Sequence, residues 1–257
     1  MHALLKLIVA YGRARLSRGS LPEEPMTQTA LITGASGGIG RSAATFLAAV
    51  GWRILAQGRR EDALKQTITA VKEAGGDGDY FASEFGNMDQ VAALCEWATI
   101  DGRLDAVIHC AGSYSSERIA PESFDEWDRI IDEIIRGTMR LTAHTLSAVQ
   151  KAQGTYIFIC GPSSWMGMKG SSGYCMARHA QAGFARALFE DVRETGVRVT
   201  LLHPGFVNTS LVNTDRIDPE RMIQVADISK MIGMAVSMPA TACVTEMTVR
   251  PQRSPYR

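Results

Sequence analysis

Residues 33–40 read Thr33-Gly34-Ala35-Ser36-Gly37-Gly38-Ile39-Gly40, directly after a short apolar run and directly before an amphipathic stretch. A glycine turn between a strand and a helix can grip a diphosphate. Gly34 permits the tight turn, Gly38 lets the backbone approach the phosphates, and Gly40 lets helix and strand pack closely; Ser36, Gly37 and Ile39 complete the contacts. The helix start then offers free N–H donors and the positive end of its dipole. Glycines of this kind also occur in loops that bind nothing, and it is the strand before and the helix after that favour binding here.

In folds of this type an acidic side chain about 20 positions on, at the end of the second strand, receives the adenosine ribose when the cofactor is NAD. Gly58 stands there instead, followed by Arg59 and Arg60. A guanidinium fork suits the dianionic 2′-phosphate of NADP(H), which is therefore the expected cofactor. The bland alternative is a solvated helix start, where positive charge sits mildly against the dipole.

Other chemistries find less support. Lys plus Arg and Asp plus Glu each total 27, so the basic excess of a nucleic-acid binder is missing. Five cysteines, at 95, 110, 160, 175 and 243, lack the short paired spacings of a zinc site or a disulfide framework, and read as reduced thiols; no metal is expected. His109, at the end of an apolar run, reads as a satisfied strand-end residue rather than a general base.

These groups need a scaffold that brings residues 33–40 and 58–60 to one edge. From Thr29 onward short apolar runs alternate with longer amphipathic segments, the pattern of βαβ units around a parallel sheet. Strands are predicted at 30–33, 53–57, 79–82, 105–110, 155–160, 197–202 and 244–249. Helices are predicted at 39–50, 62–74, 88–100, 124–150, 174–195 and 228–237. The expected fold is a single α/β domain over 27–257, a doubly wound, Rossmann-type, seven-stranded parallel sheet. The tail, 250–257, reads as an exposed terminus.

Residues 1–26 form an extension. Its apolar run is too short for a membrane span. An Arg-bearing, acid-poor start fits an organelle-targeting peptide, a disordered extension or a start codon placed early, and the expected location is otherwise the cytoplasm.

With the glycine turn, Ala111-Gly112 after the fourth strand and Tyr174 opening a later helix, the chain resembles the classical short-chain dehydrogenase/reductase family from about Thr29 to Pro251. The resemblance implies further cofactor contacts: Glu84 and Phe85 at the adenine, and Pro204, Gly205, Val207 and Thr209 at the nicotinamide end. It also implies a catalytic Asn, Ser, Tyr and Lys. Tyr174 fits, and Arg178 stands in the lysine place, where it would bind ribose as well. A cation about 4 Å from a phenolate is worth about 4 kcal/mol at an effective dielectric of about 20, so Arg178 can give electrostatic help. It cannot relay a proton, because arginine stays charged. Ser163-Ser164-Trp165-Met166-Gly167 resembles the family's serine segment and makes Ser164 the polarising hydroxyl. Ser163 is the alternative, since strand counting puts the serine places on Cys160 and Gly161. Ile134 falls where the family keeps its asparagine.

The resemblance thus implies an NADP(H)-dependent oxidoreductase that moves hydride between the nicotinamide and a small-molecule carbonyl or secondary alcohol. The loss of the Asn and Lys types also admits a non-catalytic NADP(H)-binding protein, a sensor or partner subunit. The helices at 124–150 and 174–195 correspond to the family's subunit contact, so a homodimer or homotetramer is expected. Residues 208–225, with Leu211, Val212, Ile217 and Met222 among charges, read as a mobile lid over a moderately hydrophobic substrate.

Overall fold

A computed structural model describes residues 27–117, 119–212 and 215–256. The extension predicted at 1–26 lies outside the described residues. Seven strands form one sheet: β1 (Thr29–Thr33), β2 (Arg53–Gly58), β3 (Asp77–Ala82), β4 (Ala106–His109), β5 (Thr155–Ile159), β6 (Arg198–Pro204) and β7 (Glu246–Val249). The order is β3-β2-β1-β4-β5-β6-β7, with every neighbouring pair parallel. β1 therefore lies beside both β2 and β4, and the chain changes direction across the sheet at their C-terminal ends. A crevice opens at such a switch point.

Both faces are covered. The helices are α1 (Gly38–Ala48), α2 (Glu61–Glu73), α3 (Met88–Ala98), α4 (Phe124–Ile130), α5 (Gly137–Ala152), α6 (Ser172–Val192) and α7 (Val225–Ser237). Ala30, Ile32 and Ile54 point to one face, where they meet Leu47 of α1, Leu64 and Ile68 of α2 and Ile228 and Ile232 of α7. Leu31 and Leu55 point to the other, against Leu94 of α3, Leu141 of α5 and Ala185 of α6. That alternation is the two-residue period of a strand, and burying each Leu or Ile side chain stabilises by roughly 1.5–3 kcal/mol.

Three departures from the sequence reading matter for function. The helix predicted over 124–150 is interrupted between α4 and α5 by a π-helical stretch, Ile131–Arg136, whose wider turn carries both Glu133 and Ile134 inward. α6 starts at Ser172, so Tyr174 sits inside its first turn. The tail is tied down rather than exposed as a whole: Pro255 is buried, its carbonyl accepts from Asp218 N (2.8 Å), and Tyr256 makes an antiparallel bridge with Ile217. Proline and tyrosine near a chain end give no local sign of such a partner.

Candidate cofactor cleft and catalytic group

The glycine turn is built by close approach. Gly34 has φ +66°, and a Cβ on it would lie 2.9 Å from Ala111 N, against the end of β4. On Gly40 a Cβ would lie 2.5 Å from the Gly34 carbonyl oxygen, so helix and turn touch backbone to backbone. Thr33 Oγ1 accepts from Cys110 N (3.2 Å) and Ala111 N (3.1 Å), locking the ends of β1 and β4 together. Gln57, which the sequence did not single out, is 1% exposed; its Oε1 accepts from Gly34 N (3.2 Å) and its Nε2 donates to the Ser83 carbonyl (2.8 Å).

The start of α1 has no side-chain cap, whereas Asn87 caps α3 and Gln224 with Asp227 forms a capping box on α7. Its first N–H groups are left for an anion. They open on a cleft of about 220 Å³ that runs from Arg59 and Arg60 past Phe85 to Gly112 and Thr209. Gly38, at φ +53°, carries the chain into these N–H groups, and Gly37, Arg59 and Arg60 line the same cleft, so these residues fit a dinucleotide.

At the adenosine end Gly58 is buried, and a Cβ there would lie 3.0 Å from Ser36 Oγ. Arg60 Nη2 donates to the Ser36 carbonyl (3.2 Å), and Arg41 Nη2 donates to the same oxygen (3.1 Å). Arg41 escaped the sequence reading; it also donates through Nε to Thr67 Oγ1 (3.0 Å), bracing the turn on α2. Arg59 leans elsewhere, with Nη1 3.5 Å from Glu133 Oε1. Glu133 Oε2 accepts from Ser113 N (3.0 Å), which connects the arginine end of the cleft to the loop after β4. Phe85 lines the cleft, while Glu84 is exposed and faces an adjoining hollow. Pro204 ends β6, Gly205 N donates to the Val249 carbonyl, and Val207 is buried; none of these three lines the cleft, whereas Thr209 and its neighbour Leu211 do.

Gly112 separates this cleft from the candidate catalytic residues. A Cβ on Gly112 would lie 2.9 Å from Arg178 Nη2 and 3.1 Å from Ile134 Cγ1. Arg178 is buried. Its Nε donates to Tyr174 Oη (3.1 Å) and its Nη1 to the Ile159 carbonyl (3.0 Å) and to Gln181 Oε1 (2.8 Å). Burial works against the guanidinium's charge, while Tyr174, Cys160 and Cys110, where ionised, raise its pKa above arginine's ordinary value. The thiols themselves are pushed up to about 12 by burial, which keeps them neutral and unreactive. Tyr114 sets its ring edge-on to Tyr174, centroids 5.1 Å apart, and its hydroxyl lies 3.2 Å from Ser171 Oγ.

The two serines differ. Ser164 Oγ donates to the Gly161 carbonyl (2.5 Å) and lies 2.8 Å from His203 Nδ1. His203 is 1% exposed, and its Nε2 lies 3.3 Å from Glu246 Oε2 without hydrogen-bond alignment. Arg186 donates to Glu246 (2.6 Å) and holds that carboxyl below the usual range. Ser163 Oγ lies 3.9 Å from where a Cβ on Gly161 would be. His109 stacks on Phe158 with rings 3° from parallel, and its Nε2 lies 3.3 Å from Thr142 Oγ1. Its buried Nδ1 has no hydrogen-bond partner among the described residues, so the strand-end histidine is only half satisfied; burial lowers its pKa to about 3 and keeps it neutral.

Comparison with known proteins agrees with this geometry. The family model described as short chain dehydrogenase matches residues 28–220. An uncharacterized oxidoreductase of Staphylococcus aureus is 30% identical over 224 residues, covering 86% of this chain and 96% of that protein. The alcohol dehydrogenase from the archaeon Thermococcus sibiricus, complexed with 5-hydroxy-NADP, superposes with a TM-score of 0.81 at 23% identity, over 90% of this chain and 100% of that one. A 7α-hydroxysteroid dehydrogenase complexed with NADH and 7-oxo glycochenodeoxycholic acid gives 0.80 at 18% identity, over 89% and 94%. At these identities the two structures speak for the fold alone.

Proposed function

The chain belongs to the short-chain dehydrogenase family and is an oxidoreductase of that family; from that premise we propose that it uses NADP(H) to interconvert a carbonyl and a secondary alcohol. The observation that carries the cofactor choice is the adenosine end of the cleft. Gly58 leaves no carboxylate there, and the Arg41 and Arg60 guanidinia share the Ser36 carbonyl. Two cations so close favour an added anion such as a 2′-phosphate.

When bound, the nicotinamide supplies or accepts the hydride. Tyr174 gives its hydroxyl proton to the reacting oxygen during reduction and takes one back during oxidation. Arg178 Nε, donating to the same phenol oxygen, stabilises the charge left on it. Arg178 Nη2, beside Gly112, is the arm available to a ribose hydroxyl. In this scheme Ser164 polarises the substrate oxygen by turning its one O–H proton away from the Gly161 carbonyl, with Ser163 the alternative. Since Arg178 keeps its proton, Tyr174 exchanges with solvent through the open side of the cleft.

Exposed Trp165, Met166 and Met168 precede α6, and exposed Tyr114 stands beside Tyr174, which favours a bulky apolar carbonyl compound. Exposed Phe124, Met139 and Met176 on α4, α5 and α6 support a homodimer or homotetramer through those helices. All five cysteines are unpaired, in keeping with a cytoplasmic setting, and we retain residues 1–26 as an extension. Calorimetry with NADP⁺ and NAD⁺, followed by NADPH oxidation assays on ketones of increasing size, tests the reading. Tighter binding of NADP⁺ and turnover of larger apolar ketones are expected; equal affinities would remove the cofactor assignment.

A further inference from the structure

We infer that Gln181 is a positioning residue, which aims the Arg178 guanidinium at Tyr174 without cancelling its charge. The inference rests on the reading of Tyr174 as the proton-transferring residue.

A guanidinium is a flat fork whose donors point in fixed directions, so its use depends on which edge faces the partner. Here the Nε edge faces Tyr174 Oη at 3.1 Å. What keeps it there is the opposite arm, Nη1, held by the Ile159 carbonyl at 3.0 Å and by Gln181 Oε1 at 2.8 Å. Gln181 follows Arg178 by three residues on α6, the spacing that puts two side chains on one helix face.

The Gln181 amide can point only one way. It is 1% exposed, and its Nε2 donates to Thr138 Oγ1 of α5 at 3.2 Å. Turning the amide over would press its NH₂ group against a guanidinium that has only donors to offer. The order is thus Thr138 to Gln181 to Arg178 to Tyr174, running from a neighbouring helix to the phenol oxygen. Cys160 Sγ, 3.7 Å from the same Oε1, adds a weak contact.

The neutrality of Gln181 matters as much as its shape. No carboxylate pairs with Arg178 among the described residues, and the thiols that face it, Cys110 and Cys160, are neutral. A buried cation without a counter-ion is costly, and a glutamate at 181 would relieve that cost. It would also draw the field away from Tyr174. An amide fixes the fork and leaves the charge facing the phenol.

Two readouts test this, one of them independent of cofactor and turnover. With isotope-labelled arginine, the Arg178 Nε–H resonance is assigned by its loss in Arg178→Lys, and its exchange with water is followed in the apo protein. Gln181→Leu is expected to speed that exchange by about tenfold or more, since the donor no longer stays on Tyr174. In the assay the same variant is expected to lower kcat about tenfold, with a smaller rise in KM for NADPH, since the Nη2 arm offered to the ribose is loosened with the rest of the fork. In an Arg178→Met background it should add less than about twofold, because its effect passes through the arginine. Gln181→Glu is expected to keep the exchange slow yet lower kcat. Unchanged Nε–H exchange in folded Gln181→Leu, or losses that multiply in the Arg178→Met background, would overturn the inference. Should Gln181→Leu fail to fold, Thr138→Val frees the far end of the amide and is held to the same outcomes. If no ketone is turned over, the family mechanism fails and the exchange measurement still decides the role of Gln181.

Discussion

Ser164 Oγ lies 2.8 Å from Nδ1 of His203, a residue of β6 that is 1% exposed. Behind it Glu246, the first residue of β7, stands 3.3 Å from Nε2 with Arg186 bound to its other side. A hydroxyl in the loop before α6 is therefore oriented from β6, the strand next to the sheet edge. If Ser164 is the polarising group, Ser164→Ala should lower kcat/KM about a hundredfold, the loss typical of one oriented donor. His203→Phe should cost nearly as much, and the double variant little more. Ser163→Ala should stay within about threefold. Steady-state kinetics on the four proteins check this, and the opposite ranking of the two serines would transfer the role to Ser163.

Cofactor selectivity should reside in Arg60 and Arg41, which share the Ser36 carbonyl, more than in Arg59, which leans toward Glu133. A hydrogen bond to a charged group contributes about 1.5–3 kcal/mol, so Arg60→Ala should weaken NADPH about tenfold or more and leave NADH nearly unchanged. Gly58→Asp alone should convert the enzyme to NADH poorly, because its Cβ would meet Ser36 at 3.0 Å. Adding Ser36→Gly should restore the room and improve NADH binding. Calorimetric titration with each dinucleotide gives the comparison.

The C-terminal residues should matter to substrate and not to cofactor. The Pro255 carbonyl and the Tyr256 bridge hold residues 217–218, and the Tyr256 ring packs edge-on to Phe206 at 5.6 Å. A chain ending at Ser254 is expected to raise KM for the carbonyl substrate several-fold, the effect of losing about 1 kcal/mol of contacts around residues 217–218. Its NADPH affinity should match that of the full chain. Equal KM values would mean that residues 217–218 take no part in substrate binding.

His109 should give the fold a measurable acid sensitivity. Burial lowers its pKa from 6.5, the ordinary value of a solvated histidine, to about 3. The unfolded chain binds a proton that the folded chain refuses, so this contribution is complete above pH 6.5 and is lost as pH falls toward 3. At pH 5 the loss is about 2 kcal/mol. Denaturant unfolding of wild type and His109→Asn between pH 7 and pH 5, an interval of about 2 units, should show the steeper decline in wild type only.

Much of the fold was legible because its signals are local. The glycine turn needs glycine at Gly34 and Gly40 for reasons of close backbone approach, and those residues can be read directly. The all-buried β5 and the alternation in β1 follow from a sheet covered on both faces. The groups that escaped act across long sequence gaps. Gln57 reaches Gly34 and Ser83, Gln181 reaches Thr138, and His203 reaches Ser164, and each is an ordinary polar residue until the sheet order is known. The π-helical turn that buries both Glu133 and Ile134 breaks the 3.6-residue period on which helix reading depends. The strand predicted at 79–82 begins two residues earlier, at Asp77; a Cβ on Gly78 would meet the Ile54 carbonyl at 2.5 Å, so that pairing suits glycine.

The role of Tyr174 is tested most directly by single-turnover reduction of an apolar ketone with saturating NADPH in wild type and Tyr174→Phe, with NADPH binding measured on the same samples. Unchanged NADPH affinity and a rate at least about a hundredfold lower in the variant are expected. Equal rates in the two proteins would contradict that role, because the phenol that Arg178 holds at 3.1 Å would then have no part in the chemistry.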